Sequence, residues 1–174
     1  MIVVGLDLSL RSTGCVRLSG SWGADWRKID YCVVEGGSLN KVATLNQQTV
    51  RLQYIAETIE AWIRNHRADV VALESLDLHG WTVVARGLAE LHGVVRAQLL
   101  HLDVPMVQYR ASEVRKTLLG KVPRRGAKDA VHNFITSAGA PWDCNDVSDA
   151  FAVANHHLSM CGHVAVTRSV EVSE

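Results

Sequence analysis

The chain has 174 residues, 48% of them hydrophobic and 21% charged, and its 18 basic and 18 acidic residues give a formal net charge of zero. This is the size and composition of one globular domain with a substantial core, which excludes disordered, collagen-like and fibrous proteins. No apolar run approaches the roughly 20 residues of a membrane-spanning helix, and no basic segment precedes the apolar start, so we expect a cytoplasmic protein of a bacterium, a phage-infected cell or an organelle.

The first half of the chain alternates short apolar segments with polar turns and then continues into a helix. Residues 1–9, 13–20 and 26–37 are predicted strands, the last two forming a hairpin or meander with the first. The leucine and isoleucine spacing from about 43 to 66 predicts a long amphipathic helix. Residues 68–75 are a further apolar strand that runs into polar residues.

Helices dominate the second half of the chain. Residues 81–102 predict a helix that is apolar on more than one side, so it must cover a second layer or another subunit. A strand is predicted at 104–109, a short helix at 111–119 and a loop at 121–126. Two helices follow at 127–139 and 145–162, and the final segment, 163–174, alternates like a strand. Ser112 is a plausible N-cap of the short helix.

This order of elements predicts an α/β fold. Strand–helix–strand repeats imply parallel pairing, whereas the opening hairpin implies antiparallel pairing. We therefore predict a mixed five-stranded sheet with helices on both faces. The domain covers residues 1–162, and residues 163–174 form a C-terminal tail or an added edge strand.

Four acidic residues occupy positions from which they can converge. Asp7 and Glu74 each end an apolar strand, and the carboxyl ends of neighbouring parallel strands meet at one edge of a sheet. Asp146 and Asp149 lie three residues apart in the last helix and share a face. Converging carboxylates need a cation, and oxygen ligands suit Mg²⁺ or Mn²⁺. Two such ions about 4 Å apart can drive phosphodiester hydrolysis.

Each acid also has a structural interpretation. Asp146 can be the N-cap of its helix, Asp7 can pair with Lys128 or an arginine, and Glu74 can face solvent at the end of its strand. The combination of two strand ends and one helix face favours the metal site over these separate explanations.

The basic residues are concentrated in one segment. Between residues 110 and 128, Glu113 is the only acid beside seven basic residues, Arg110, Arg115, Lys116, Lys121, Arg124, Arg125 and Lys128. A neutral protein with such a segment can attract a polyanion locally. The loop that carries Lys121, Arg124 and Arg125 can clasp a DNA arm, or it can be a solvated basic loop.

Five segments of the chain together resemble the RuvC family of Holliday junction resolvases, which have an RNase H-like fold. They are Gly5–Gly14, Val71–Ser75, Ala111–Gly120, Gly126–Val131 and Asp146–His157. They occur in the family's order and cover most of residues 1–160. The resemblance implies a homodimer that cuts two opposed strands of a four-way DNA junction with two Mg²⁺ or Mn²⁺ ions per active site.

The resemblance also implies roles for individual residues. The four acids match the family's metal ligands, although some members have a histidine at the position of Asp146. Lys128 matches a basic residue next to the scissile phosphate. Arg115, with Lys116 beside it, falls where the family has a DNA-contacting lysine. The apolar helix at 81–102 matches the family's dimer helix.

The chain departs from the family pattern after Glu74, where the aromatic residue expected soon after the glutamate is missing. Trp81 can replace it by stacking on bases at the junction centre, or it can pack at the start of its helix.

Other functions remain open at this point. One is a related RNase H-like nuclease in repair or RNA processing without junction preference. Others are a non-catalytic DNA-binding module and a nucleotide-binding domain of the actin or sugar-kinase kind. The nucleotide-binding alternative is disfavoured because LSLRST, after Asp7, lacks the glycines of a phosphate-binding turn.

Overall fold

The computed structural model describes residues 1–21, 25–38, 43–76, 82–163 and 166–167. The strands are β1 (Ile2–Asp7), β2 (Ser12–Ser19), β3 (Asp30–Glu35), β4 (Val70–Glu74) and β5 (Met106–Tyr109). The helices are α1 (Leu45–His66), α2 (Val83–Leu99), α3 (Ala111–Leu119), α4 (Ala127–Ser137) and α5 (Asn145–Met160). Within these ranges, no helix is long and apolar enough to cross a membrane. The predicted order of elements is confirmed.

Three local predictions were wrong. The strand predicted from residue 26 begins at Asp30, because the side chain of Asp25 caps a 3-10 helix at Trp26–Lys28. Helix α3 begins at Ala111, so Ser112 lies inside the helix and is not its N-cap. The predicted helix 81–102 has 3-10 rather than α geometry after Leu99. Residues 168–174 and Trp81 lie outside the described part of the chain.

The five strands form one mixed sheet in the order β3-β2-β1-β4-β5. Strands β3, β2 and β1 pair antiparallel, whereas β1, β4 and β5 pair parallel. Leu6 of β1 lies opposite Leu73 of β4, so the next residues, Asp7 and Glu74, end adjacent strands at the same edge of the sheet. The fold class predicted from the order of elements is confirmed.

Helices cover both faces of the sheet because alternate residues of each strand point to opposite sides. In β1, Val4 and Leu6 belong to a core that includes buried residues of α1 and α2. Val3 belongs to the other core, which includes buried residues of α3, α4 and α5, with Phe151 as its largest fully buried side chain. The sheet edge at Asp7 is therefore flanked by helices from both layers.

Helix α5 lies directly on the backbone of β1 and β2. A Cβ atom at Gly14 would collide with the carbonyl oxygen of Asp146, and one at Gly5 would collide with the carbonyl oxygen of Ala150. The absence of side chains at both glycines lets the start of α5 approach the end of β1. This close approach brings the acids of α5 to the edge of the sheet.

We expect Gly14→Ala to displace the start of α5. Alanine is no worse than glycine in a strand, so any destabilisation must come from the collision. Overpacking predicts a loss of roughly 1–3 kcal/mol in the free energy of unfolding. Urea unfolding followed by circular dichroism measures it. A variant as stable as the parent would show that the helix can shift without cost.

Candidate active site

Asp7 and Glu74 form the part of the site that the sheet supplies. Asp7 is buried at the end of β1, and Glu74 is half-buried at the end of β4. Their strands are parallel neighbours in register. The sheet therefore places these two strand ends side by side, as predicted.

Helix α5 brings the other two acids. Its N-cap is Cys144, so Asp146 lies within the first turn, and the interpretation of Asp146 as the N-cap is wrong. The Asp146 carboxylate accepts a hydrogen bond from the Ser12 hydroxyl at the start of β2. Asp149, one turn further on, is only 3% exposed. Both acids thus belong to the same end of α5 that packs on Gly14.

Lys128, in the first turn of α4, lies between two of the acids. Its Nζ is 2.8 Å from Oδ2 of Asp149 and 3.3 Å from Oδ2 of Asp7. Burial alone lowers the pKa of Lys128, but the carboxylates of Asp7 and Asp149 outweigh it and hold the pKa above its usual value. The ion pair between Asp7 and Lys128, one of the structural alternatives, is therefore present.

The charge environment of Asp7 includes the other three acids. Burial raises the pKa of Asp7 from 3.8 to about 7, Lys128 opposes this, and Asp149, Glu74 and Asp146 raise it further in that order. Three other carboxylates would not raise the pKa of an aspartate that stood alone at a strand end. Near neutral pH this carboxyl is therefore poised between its two forms unless a further positive charge approaches.

The donor set fits a hard divalent cation. All four side chains offer only oxygen atoms, which suit Mg²⁺ or Mn²⁺ and not zinc. Oδ2 of Asp149 is buried and faces the ammonium of Lys128 at 2.8 Å. In the part of the chain that the structure describes, however, no three acidic, histidine or cysteine side chains already form a metal-ligand group. A cation at this place would therefore require the carboxylates to turn towards it.

A cleft of about 560 Å³ opens over this edge of the sheet. Its wall includes Asp7, Glu74, Asp146 and Lys128, together with Ser75, His92 and Arg115 and several apolar side chains. Asp149 lies beneath the wall, behind Lys128. The cleft therefore has acids and bases on one open surface that a phosphodiester can reach.

The predicted basic residues divide into two groups. Arg115 lines the cleft, and its Nη2 lies 3.9 Å from Oε1 of Glu74. Four others are exposed to solvent away from the lining of the cleft, namely Lys116, Lys121, Arg124 and Arg125. Lys121 and Arg124 instead border a separate hollow beside α3 and α4.

No local pattern in the sequence indicates the buried network that supports the acids of α5. Ser148 lies between Asp146 and Asp149, and its Oγ receives a hydrogen bond from Trp142 Nε1 at 3.1 Å. The same Oγ lies 3.0 Å from Nδ1 of His132 on α4 and donates to the carbonyl of Cys144. This network fixes the start of α5 to α4, and thereby fixes its acids relative to Lys128.

One face of α2 remains open. Gly93, Ala97 and Leu100 are exposed at spacings of four and three residues, and the Arg86–Glu90 ion pair separates them from the exposed Val83. The opposite side of the helix, including Leu91, Val95 and Leu99, is buried in the core. The helix is thus apolar towards the core and has small or apolar residues on an outer face.

Comparison with known proteins gives a consistent result. A family model described as "Crossover junction endodeoxyribonuclease RuvC" matches residues 3–157. A protein of that description from Saccharopolyspora erythraea is 27% identical over 95% of this chain and 82% of its own length. Another, from Sorangium cellulosum, is 28% identical over 95% of this chain and 88% of its own length.

Solved structures agree at the level of the fold. Thermus thermophilus RuvC in complex with a Holliday junction substrate matches with a TM-score of 0.69 and 18% identity, covering 93% of this chain and 95% of that chain. The yeast mitochondrial Holliday junction resolvase matches with a TM-score of 0.56 and 12% identity, covering 90% of this chain and 77% of that chain. The predicted RNase H-like fold is confirmed.

Proposed function

The chain belongs to the RuvC family of crossover junction endodeoxyribonucleases, and we propose that it resolves four-way (Holliday) DNA junctions by metal-dependent hydrolysis that leaves paired symmetric nicks. The observation that carries the proposal is the effect of three other acids on Asp7 in one open cleft. The matched relatives are bacterial, so we place the protein in the bacterial cytoplasm. We assign residues 1–162 to the nuclease domain and 163–174 to a C-terminal tail or an added edge strand.

We assign the metal ligands to Asp7, Glu74, Asp146 and Asp149, with two Mg²⁺ or Mn²⁺ ions per site. Such ions, when bound, activate water and stabilise the leaving oxygen of a phosphodiester. The hydrogen bond from Ser12 orients the Asp146 carboxylate. The support for this assignment is the oxygen-only donor set and the contact of Lys128 Nζ with both Asp7 and Asp149, which shows that a positive charge is held among these carboxylates.

Lys128 has two roles in this proposal. Its ammonium lies between Asp7 and Asp149 and opposes the rise in the pKa of Asp7 before a metal binds. Its side chain is 49% exposed towards the cleft, so it can also donate to an oxygen of the phosphate that is cleaved. Both roles require the ammonium group of Lys128 to lie at this position beside Asp7 and Asp149.

The exposed basic residues contact the DNA arms outside the cleft in this proposal. Phosphate contacts of this kind supply affinity rather than sequence choice. The set comprises Lys116, Lys121, Arg124 and Arg125, with Arg115 inside the cleft. Trp81, which lies outside the described residues, is assigned to stacking at the junction centre.

The proposed activity is tested by offering the protein several DNA substrates. Four-way junctions, linear duplex and RNA–DNA hybrid are incubated with Mg²⁺, with Mn²⁺ or with a chelator. We expect paired nicks in the junction alone, and none with chelator. A Glu74→Gln variant should bind the junction without cutting it, since Glu74 is only half-buried and its amide fits the same space. Equal cutting of linear duplex would refute junction preference, and cutting with chelator would refute metal dependence.

We also propose that the protein is a homodimer through α2, because two opposed strands must be cut in one junction. The outer face of α2 supports this, since the exposed Gly93 and Ala97 allow a second helix to approach closely.

An Ala97→Glu variant is expected to shift the protein towards monomer and to replace paired nicks by single ones, because it places a charge in the middle of that face. Size-exclusion chromatography with light scattering measures the change. Ala61→Glu, the same substitution at an exposed alanine of α1, is the matched control and should remain dimeric. A parent that is monomeric at every concentration would overturn the proposed dimer.

A further inference from the structure

Three buried polar atoms in the wall of the active-site cleft have no hydrogen-bond partner. They are Oγ of Ser75, Nδ1 of His92 and Nε of Arg115. Oδ2 of Asp149 is also buried but differs from these three atoms, because the ammonium of Lys128 lies 2.8 Å from it. Buried polar groups are normally paired, and an unpaired one costs free energy. Their concentration at one place indicates a ligand that is absent from the protein alone.

The three side chains come from three different elements. Ser75 follows the last residue of β4, Arg115 lies on α3 above one face of the sheet, and His92 lies on α2 above the other face. His92 is only 6% exposed and belongs to the buried side of its helix, among leucines and valines. Burial, and then the charge of Arg96, lower the pKa of the His92 ring below its usual value. A buried, neutral imidazole whose Nδ1 has no partner has no evident role in stabilising this helix.

We propose that Ser75, His92 and Arg115 form a subsite for a phosphate of the substrate strand that neighbours the cleaved one. This inference rests on the proposed nuclease function and names a part of its substrate. The Nε–H of arginine can only donate, and the serine hydroxyl and a neutral imidazole can both donate. A phosphodiester presents anionic oxygens that can accept from all three kinds of donor, and the DNA backbone repeats such groups at regular intervals.

The contacts already present leave these donors available. The distance of 3.9 Å between Arg115 and Glu74 is that of a loose ion pair, which does not occupy Nε of the guanidinium. Lys128 is engaged with Asp7 and Asp149 and is placed to serve the cleaved phosphate. The three unpaired atoms are shielded from water, so contact with the phosphate requires a change of side-chain torsion in the cleft wall.

The inference is tested with a His92→Leu variant. Leucine fills a similar volume and removes the nitrogen atoms, so the DNA-free protein should melt at the same or a higher temperature than the parent. Its affinity for a four-way junction, measured by fluorescence anisotropy with Ca²⁺ in place of Mg²⁺, should fall roughly 10-fold. Ser75→Ala should act in the same direction. His101→Leu, at an exposed histidine just after α2, is the matched control and should bind like the parent.

A second measurement identifies the group that is bound. Junctions that carry one neutral methylphosphonate linkage at a time along the cleaved strand are compared for the parent and for His92→Leu. At one linkage beside the cut, we expect the neutral group to weaken binding of the parent. The same linkage should not weaken binding of His92→Leu further, because two changes that remove the same contact are not additive.

Three results would overturn the subsite: unchanged affinity of His92→Leu, additive losses at every position, or a lower melting temperature of the DNA-free variant. If the parent itself fails to nick junctions, the proposed function fails; if the parent nicks them and His92→Leu is indistinguishable, only the subsite fails.

Discussion

An Asp7→Asn variant is expected to lose junction cleavage while its metal-free form becomes more stable than the parent. In the proposed function Asp7 is a ligand of the divalent ions, and an amide is uncharged and a poorer ligand. Metal ions contribute several kcal/mol of transition-state stabilisation, so the cleavage rate should fall on the order of 10³-fold. Junction binding should persist, because the basic residues are untouched.

The gain in stability follows from the pKa of Asp7. Burial and the neighbouring acids raise the pKa of Asp7 from 3.8 to about 7 in the folded protein. The folded state therefore holds this proton more tightly than the unfolded chain, and folding becomes less favourable as the pH rises from about 4 through about 7. Asparagine has no proton to lose. The two proteins should be similar near pH 4, and the variant should be more stable by about 1–3 kcal/mol near pH 8.

The lost ion pair with Lys128 reduces this gain without reversing it, because Nζ of Lys128 keeps its closer partner, Asp149, at 2.8 Å. Urea unfolding with chelator at both pH values measures the difference, and added Mg²⁺ should stabilise the parent more than the variant. Asp103→Asn, at an exposed position with positive φ that asparagine tolerates, is the matched control. An Asp7→Asn variant less stable than the parent near pH 8 would mean that Asp7 is chiefly a structural partner of Lys128.

Much of the fold could be predicted because its signals are local. Alternating or continuous apolar residues mark the strands, and the spacing of Leu52, Ile55, Ile59 and Ile63 marks the buried side of α1. The positions of Asp7 and Glu74 at strand ends follow from the same patterns. The 3-10 helix after Asp25 was missed because one side-chain cap overrode a segment that otherwise resembles a strand.

The details of the site depend on contacts between distant residues, which no local pattern records. Ser12 and Asp146 are 134 residues apart in the chain, yet they are hydrogen-bonded. The sequence showed a run of basic residues, but helix geometry turns Arg115 into the cleft and leaves its neighbour Lys116 in solvent. His92 carried no signal at all, since a histidine among the apolar residues of a helix indicates only burial. Sequence patterns thus locate the strand ends and helices that build the site, while the partners of each side chain come from the tertiary packing.

A Lys128→Met variant is expected to be destabilised and nearly inactive. Methionine keeps the length of the side chain but removes the charge that faces Asp7 and Asp149. Removing one partner of a buried ion pair costs about 3–5 kcal/mol. Because the Lys128 side chain is 49% exposed, water screens the remaining acids, and we expect about 1–3 kcal/mol instead. Cleavage should fall on the order of 10²-fold if Lys128 also contacts the phosphate.

The dependence of the lost stability on pH and Mg²⁺ tests the idea that the ammonium of Lys128 takes the place of a metal ion among the acids. Without Lys128 the pKa of Asp7 rises further, so the deficit in unfolding free energy should grow with rising pH and shrink in acid, where Asp7 is protonated. Mg²⁺ should reduce the deficit without restoring cleavage, whereas Lys128→Arg should keep both stability and part of the activity. Lys116→Met, at an exposed lysine, is the control for stability. If Lys128→Met is as stable as the parent without metal, the acids do not repel one another strongly enough to need a cation. If Mg²⁺ restores cleavage fully, Lys128 neutralises the acids and has no contact with the phosphate.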